Sequence, residues 1–102
     1  KPLIDLLTDF NNKGKKIAAI CAAPSILGEM GLLKGRTATC YPGFEDKLEG
    51  VSYTRQGVIT DGNITTARGL GYALDLGIEL IRLLMGPQHA QMVKDSIQYD
   101  QV

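Results

Sequence analysis

The chain has 102 residues, enough for one small domain. Hydrophobic residues make up 44% and charged residues 22%, an ordinary globular composition. Eleven basic residues balance eleven acidic ones, so no net charge steers the chain toward nucleic acid or an anionic membrane.

Residues 3–10, LIDLLTDF, place apolar side chains at 3, 4, 6, 7 and 10, the spacing of one helical face. The following NNKGKK ends that helix, with Gly14 as the cap. IAAI, 17–20, is a short apolar run that reads as a buried parallel strand. Cys21 follows at once, and Pro24 suits the first turn of a helix that stops at Gly31 or Gly35. TATCY, 37–41, reads as a second strand, and PGFEDKLEG as a turn with one or two helical turns. SYTRQ, 52–56, and GVITDG, 57–62, are expected to pair around Gln56-Gly57, with NITTA, 63–67, as a further β-branched strand. GLGYALDLGIELIRLLMG, after Arg68, carries the strongest helical period, through Leu70, Leu74, Ile78, Ile81 and Leu84 or Met85. Gly86-Pro87 breaks it, and a last helix runs from about Pro87 to Ile97. Strands alternating with helices predict an α/β fold with a mostly parallel sheet covered on both faces.

The chemistry concentrates in KKIAAICAAPSIL. A residue between a buried strand and a helix sits on a sharp turn above the carboxyl edge of the sheet, where open α/β sheets place their sites. The same geometry, the nucleophile elbow, exposes a nucleophile beside a helix amino terminus. Free N–H groups there favour a thiolate, so Cys21 is the candidate nucleophile and the backbone N–H of Ala22 a candidate oxyanion donor. The competing reading is a small buried thiol of no chemical consequence. Cys40 is expected to be such a thiol. Two cysteines make no secreted disulfide framework, and the chain shows no apolar signal core, so both are read as reduced thiols in a cytoplasmic protein. No apolar run approaches the roughly 20 residues of a membrane helix.

Two cysteines and one histidine fall short of a four-ligand zinc site. His89 is expected to be solvated or packed rather than catalytic. Arg68 is a candidate for holding a carboxylate, or for capping nearby carbonyls. Gly69-Leu70-Gly71 lacks the third glycine of a dinucleotide fingerprint, position 74 being Leu, so no nucleotide and no other cofactor is expected. Glu45, Asp46 and Glu49 read as a solvated face.

IAAICAAPSILGEMGLLKGRTATCYPGFEDKL closely resembles the ThiJ/PfpI family, and ITTARGLGYALDLGIELI resembles the same family's motif before its penultimate long helix. The resemblance runs through essentially the whole chain. It implies a flavodoxin-like three-layer sandwich, of which residues 1–102 are the carboxyl-terminal half, in a cytoplasmic homodimer with Cys21 as its reactive cysteine. It further implies that an amino-terminal segment, absent here, supplies a carboxylate beside the cysteine and a glycine-rich turn. The chain starts at Lys1 rather than Met, in keeping with processing or with a preceding segment. Its central strand is expected to need neighbours on both edges, so the chain is not expected to fold well alone.

Two departures narrow the activity. Protease-like members carry Cys-His where this chain has Cys21-Ala22, which weakens a peptidase reading. Tyr41 stands where some relatives place a histidine, so it is a candidate substrate contact rather than a base. The resemblance therefore implies a glyoxalase or deglycase acting on small reactive carbonyls, and Tyr41 and, by its place after a strand, Arg68 are the candidate substrate contacts. The alternative is an oxidative-stress sensor or chaperone-like protein switched by oxidation of Cys21.

Overall fold

The computed structural model describes residues 1–99. Helix α1 spans Pro2–Asn12, strand β1 Ile17–Ile20 and helix α2 Pro24–Glu29. Two-residue strands β2, Thr37–Ala38, and β3, Ser52–Tyr53, flank a 3-10 turn at Glu45–Lys47. Strands β4, Val58–Asp61, and β5, Ile64–Ala67, precede a 3-10 turn at Leu70–Tyr72, helix α3, Ala73–Met85, and helix α4, Pro87–Ser96. Of the long carboxyl-terminal period, the first turn is therefore 3-10 and the α-helix starts four residues after Gly69.

Helix α1 ends as its sequence predicts. Gly14 adopts φ 69°, which no side chain opposes, and Lys15 N–H donates back to the Phe10 carbonyl at 2.9 Å. The break between α3 and α4 is a single residue. Pro87 drives Gly86 to an extended ψ of 163°, and the accompanying φ of 96° is open only to glycine.

Three strands form a sheet in the order β1-β5-β4. β1 and β5 are parallel, with Ile17 opposite Ile64 and Ile20 opposite Ala67. β4 and β5 are antiparallel, joined by a tight turn at Gly62-Asn63. This corrects the expected pairing around Gln56-Gly57: β3 instead pairs in parallel with β2, Thr37 opposite Ser52. The physical reason is the turn. Gly62 takes φ 63°, and the Asn63 side chain donates to the Lys15 carbonyl at 2.8 Å, so the chain reverses there. Arg36 fastens the reversal from the other side, its Nη1 donating to the Asp61 carbonyl at 3.0 Å and to Asn63 Oδ1 at 2.9 Å.

Alternation along β5 assigns the two faces. Ile64 points to one side and joins Ile17, Leu27, Leu33, Ala38, Cys40 and Leu48 in the buried core, with Leu7 and Phe10 of α1 packed against it. The segment after β2 lies on that face, Thr39 N–H donating to Thr66 Oγ1 at 3.0 Å. Thr65 points to the other side, where its hydroxyl meets Thr60 Oγ1 at 2.8 Å, and Thr60 donates to Glu79 of α3 at 2.7 Å. The result is an α/β sandwich of three layers, with α1 and α2 on one face and α3 on the other. α4 packs on α3, and the Tyr99 hydroxyl after it donates to Asp75.

Much apolar surface stays open. β1 has β5 as its one hydrogen-bonded neighbour, and Ala18 is exposed, so among the described residues β1 is an edge strand rather than the expected buried one. Neither α1 nor α3 contains a buried residue. No helix among the described residues is long and apolar enough to cross a membrane.

Glu79 ties α3 to the sheet through a charge. The Arg82 guanidinium hydrogen-bonded to it holds its carboxyl below the usual range, and the Thr60 hydroxyl adds to this. A depressed carboxylate contributes stability above its unfolded-state value and loses it as pH falls through the folded one. Arg82 is half exposed, so screening keeps the effect small. Glu79→Gln is expected to cost about 1 kcal/mol at neutral pH, and the gap to close below about pH 4. Urea unfolding of both proteins at pH 7 and in acid measures it.

Candidate active site

Cys21 follows the last residue of β1 and precedes α2 by two residues, as the strand–turn–helix reading expects. Its φ is 67°, the left-handed region that a side chain enters at a cost of about 1–2 kcal/mol. Two backbone bonds from separate segments hold it there. Its N–H donates to the Ala67 carbonyl at the end of β5, at 3.0 Å, and its carbonyl accepts from Tyr41 N–H at 2.7 Å. The parallel β1–β5 ladder thus runs one residue past its last strand pair, and the segment after β2 closes the turn from the other side.

The residues after Cys21 tighten the bend. Ala23 N–H donates to the Ile20 carbonyl at 3.2 Å, and Ser25 returns both its N–H and its hydroxyl to the Ala22 carbonyl, at 3.0 and 2.6 Å. Pro24 has no N–H to place. The Ala22 N–H donates to no other group among the described residues, which leaves it available to a developing oxyanion beside the thiol. Cys21 is partly exposed, and both cysteines are free thiols.

Tyr41 and Arg68 reach the same place by different routes. Tyr41 is adjacent through its bond to Cys21, and Arg68 directly follows Ala67, the other backbone partner of Cys21. Both line an open trough of about 320 Å³ with Pro42, Gly69, Leu70, Gly71 and Tyr72. Leu70 and Tyr72 were not legible as site residues. Leu70 fits the helical period of the residues that follow, and the one hint was its setting between Gly69 and Gly71 after Arg68.

The remaining candidates lie elsewhere. His89 is exposed on α4. Glu45, Asp46 and Glu49 are exposed, though the Glu45 carboxylate turns back to accept from Gly43 N–H. A larger trough, about 490 Å³, lies at the far end of α2 among Gly28, Lys34 and Lys47, away from Cys21. Among the described residues no group of three or more His, Cys, Asp or Glu side chains is arranged to hold a metal ion.

Cys40 is fully buried in the core, and burial, reinforced by the Glu45 carboxylate, pushes its thiol up from the ordinary value. Brief iodoacetamide treatment of the folded protein is expected to label Cys21 at least tenfold faster than Cys40, with both labelled in urea. Equal rates in the folded state would refute the assignment of Cys21 as the accessible thiol. Backbone strain gives a second expectation. Cys21→Gly should unfold at higher urea than Cys21→Ala, by about 1 kcal/mol, because glycine alone adopts this φ without penalty.

The DJ-1/PfpI family model matches residues 1–83. The crystal structure of Drosophila melanogaster DJ-1beta superimposes with a TM-score of 0.86 at 35% identity, covering 93% of this chain and 52% of that one. Oxidised DJ-1 of Toxoplasma gondii gives a TM-score of 0.89 at 31% identity, over 96% of this chain and 54% of that one. A deglycase of Pyrococcus abyssi is 34% identical over 83 residues, covering 79% of this chain and 50% of the relative. The chain spans about half the length of these relatives. The fold is the flavodoxin-like α/β fold that the motifs imply, and the chain belongs to the DJ-1/PfpI family.

Proposed function

We propose that the chain carries the nucleophile of a DJ-1-type enzyme that converts small 2-oxoaldehydes to hydroxy acids. The observation that carries this reading is Cys21, held in a left-handed turn by Ala67 and Tyr41 with the Ala22 N–H unengaged beside it. In the proposed reaction the Cys21 thiolate adds to the aldehyde carbon. A C–S bond forms, the carbonyl electron pair moves to oxygen, and Ala22 N–H supports the charge. Protonation of that oxygen gives a hemithioacetal. The proton on its carbon then moves to the neighbouring carbonyl carbon through an enediol, which leaves a thioester. Water hydrolyses the thioester, releasing the hydroxy acid and the thiol. Methylglyoxal and one water thus become lactate, with no external oxidant or cofactor.

The proton transfers need a carboxylate within reach of the thiol. In this reading an amino-terminal segment of the same domain supplies it, and that segment pairs with the open edge of β1. A second copy of the completed domain forms the homodimer, in the cytoplasm. The unpaired β1 edge and the exposed Leu3 and Leu6 of α1 support the first of these assignments. The deglycase among the relatives supports carbonyl chemistry. Cys21-Ala22 in place of Cys-His speaks against a peptidase.

The second reading, a sensor switched by oxidation of Cys21, is favoured by one observation: a relative of the same fold is known in an oxidised form. Lactate formation separates the two. This chain joined to its amino-terminal segment is expected to form lactate from methylglyoxal, and Cys21→Ser to lower the rate at least about 100-fold. Absence of lactate together with a gain of two oxygens on Cys21 in dilute peroxide would favour the sensor.

A further inference from the structure

The trough lined by Tyr41 and Arg68 adjoins Cys21 through the backbone, since Tyr41 N–H donates to the Cys21 carbonyl and Arg68 follows Ala67, the acceptor of the Cys21 N–H. Arg68 N–H donates to the Gly57 carbonyl at 3.0 Å, which brings the chain after β5 against the segment before β4. Gly57 then serves as a seat for the Tyr72 ring: a side-chain carbon added there would lie 2.1 Å from Tyr72 Cδ1. Across the trough, a carbon added at Gly69 would lie 3.4 Å from Tyr41 Cδ1, and Phe44 props the Tyr41 ring edge-on at 6.4 Å between centroids. Two tyrosine rings therefore line the trough, each seated against a glycine backbone. Leu70 stands in the same trough with 88% of its surface exposed, the most open large apolar side chain of the described residues.

One cation accompanies this apolar lining. Arg68 spends one N–H on the Arg55 carbonyl, at 3.1 Å, and the rest of its fork remains for a ligand. The charged groups around it are Arg55 and the Glu45 carboxylate, which the backbone N–H groups of Glu45 and Gly43 hold below its usual range, with a smaller contribution from both arginines. A ring-sized apolar surface, an arginine and a neighbouring nucleophile together match one class of molecule: an aryl group carrying a two-carbon oxo or hydroxy acid. A volume of about 320 Å³ sits at the lower end of what small-molecule sites offer, and is ample for a phenyl ring with such a tail.

We infer that this trough is a specificity subsite for the substituent of the carbonyl substrate, and that it selects arylglyoxals over methylglyoxal. The aryl ring lies on Leu70 between Tyr41 and Tyr72, and Arg68 receives the carboxylate of the aryl hydroxy acid formed from it. The inference rests on the carbonyl chemistry proposed for Cys21.

The test separates binding from turnover. Phenylglyoxylate already has the oxidation state of an acid, so it probes the trough without reacting. Calorimetric titration into the Cys21→Ser protein is expected to show phenylglyoxylate binding at least tenfold tighter than pyruvate. Leu70→Ser should remove at least fivefold of that affinity, and since Leu70 is almost fully exposed the substitution leaves the fold intact. Arg68→Gln should weaken phenylglyoxylate and pyruvate alike. With the unmodified thiol, kcat/KM for phenylglyoxal should exceed that for methylglyoxal at least tenfold. Equal affinities for phenylglyoxylate and pyruvate, or full affinity in Leu70→Ser, would overturn the subsite even if Cys21 consumes methylglyoxal. Selective phenylglyoxylate binding with neither aldehyde consumed would keep the subsite as an aryl-acid site and remove the carbonyl chemistry instead.

Discussion

Everything distinctive about this molecule depends on one residue being held where its backbone does not wish to be. Cys21 at φ 67° is stable only because its N–H and its carbonyl are claimed by Ala67 and by Tyr41. Those partners lie on segments far along the chain, so the turn exists only once β1, β5 and the stretch after β2 are assembled. The strain places the thiol above the carboxyl end of the sheet instead of continuing the strand alternation. It also leaves the Ala22 N–H without an acceptor among the described residues. A nucleophile and a donor are thereby prepared by tertiary structure without any unusual side chain.

The rest of the sandwich keeps those three segments in register. On the core face, Ile17 and Ile64 sit opposite each other and close over Leu27, while Thr66 receives the N–H of Thr39 and so fixes the approach of Tyr41. On the other face a polar chain, Thr65 to Thr60 to Glu79 to Arg82, links the sheet to α3. Buried hydroxyls specify direction and spacing more sharply than methyl groups do, because a slip of one residue would leave them unpaired. Arg36, reaching Asp61 and Asn63, locks the β4–β5 reversal by the same means.

The open surfaces belong to the same logic. An edge strand at β1 and exposed leucines along α1 are costly in water unless covered, and β1 leads directly into Cys21. The trough of Tyr41, Leu70 and Tyr72 is different in character: it combines apolar surface with a guanidinium, and Tyr41 ties it to the backbone of Cys21. Apolar groups grouped around a cation suit a small charged ligand better than a continuous protein interface.

The sequence by itself determined the elements whose causes are local. The apolar period of residues 3–10, the cap at Gly14, the break at Gly86-Pro87 and the strand–Cys–helix junction are each written in neighbouring residues, and so was the family. Pairing was not local. Nothing in SYTRQGVITDGNITTA states that the reversal falls at Gly62-Asn63, because that choice is settled by Lys15 and Arg36, which contact Asn63 from distant parts of the chain. Nor does the chain reveal that Leu70 and Tyr72 face a trough, since a helical period describes which residues share a face and not what that face meets. Cys21 was legible as a nucleophile by its place, but its left-handed backbone is imposed by Ala67 and Tyr41. Distant hydrogen bonds, made only when the sheet has formed, decided that geometry.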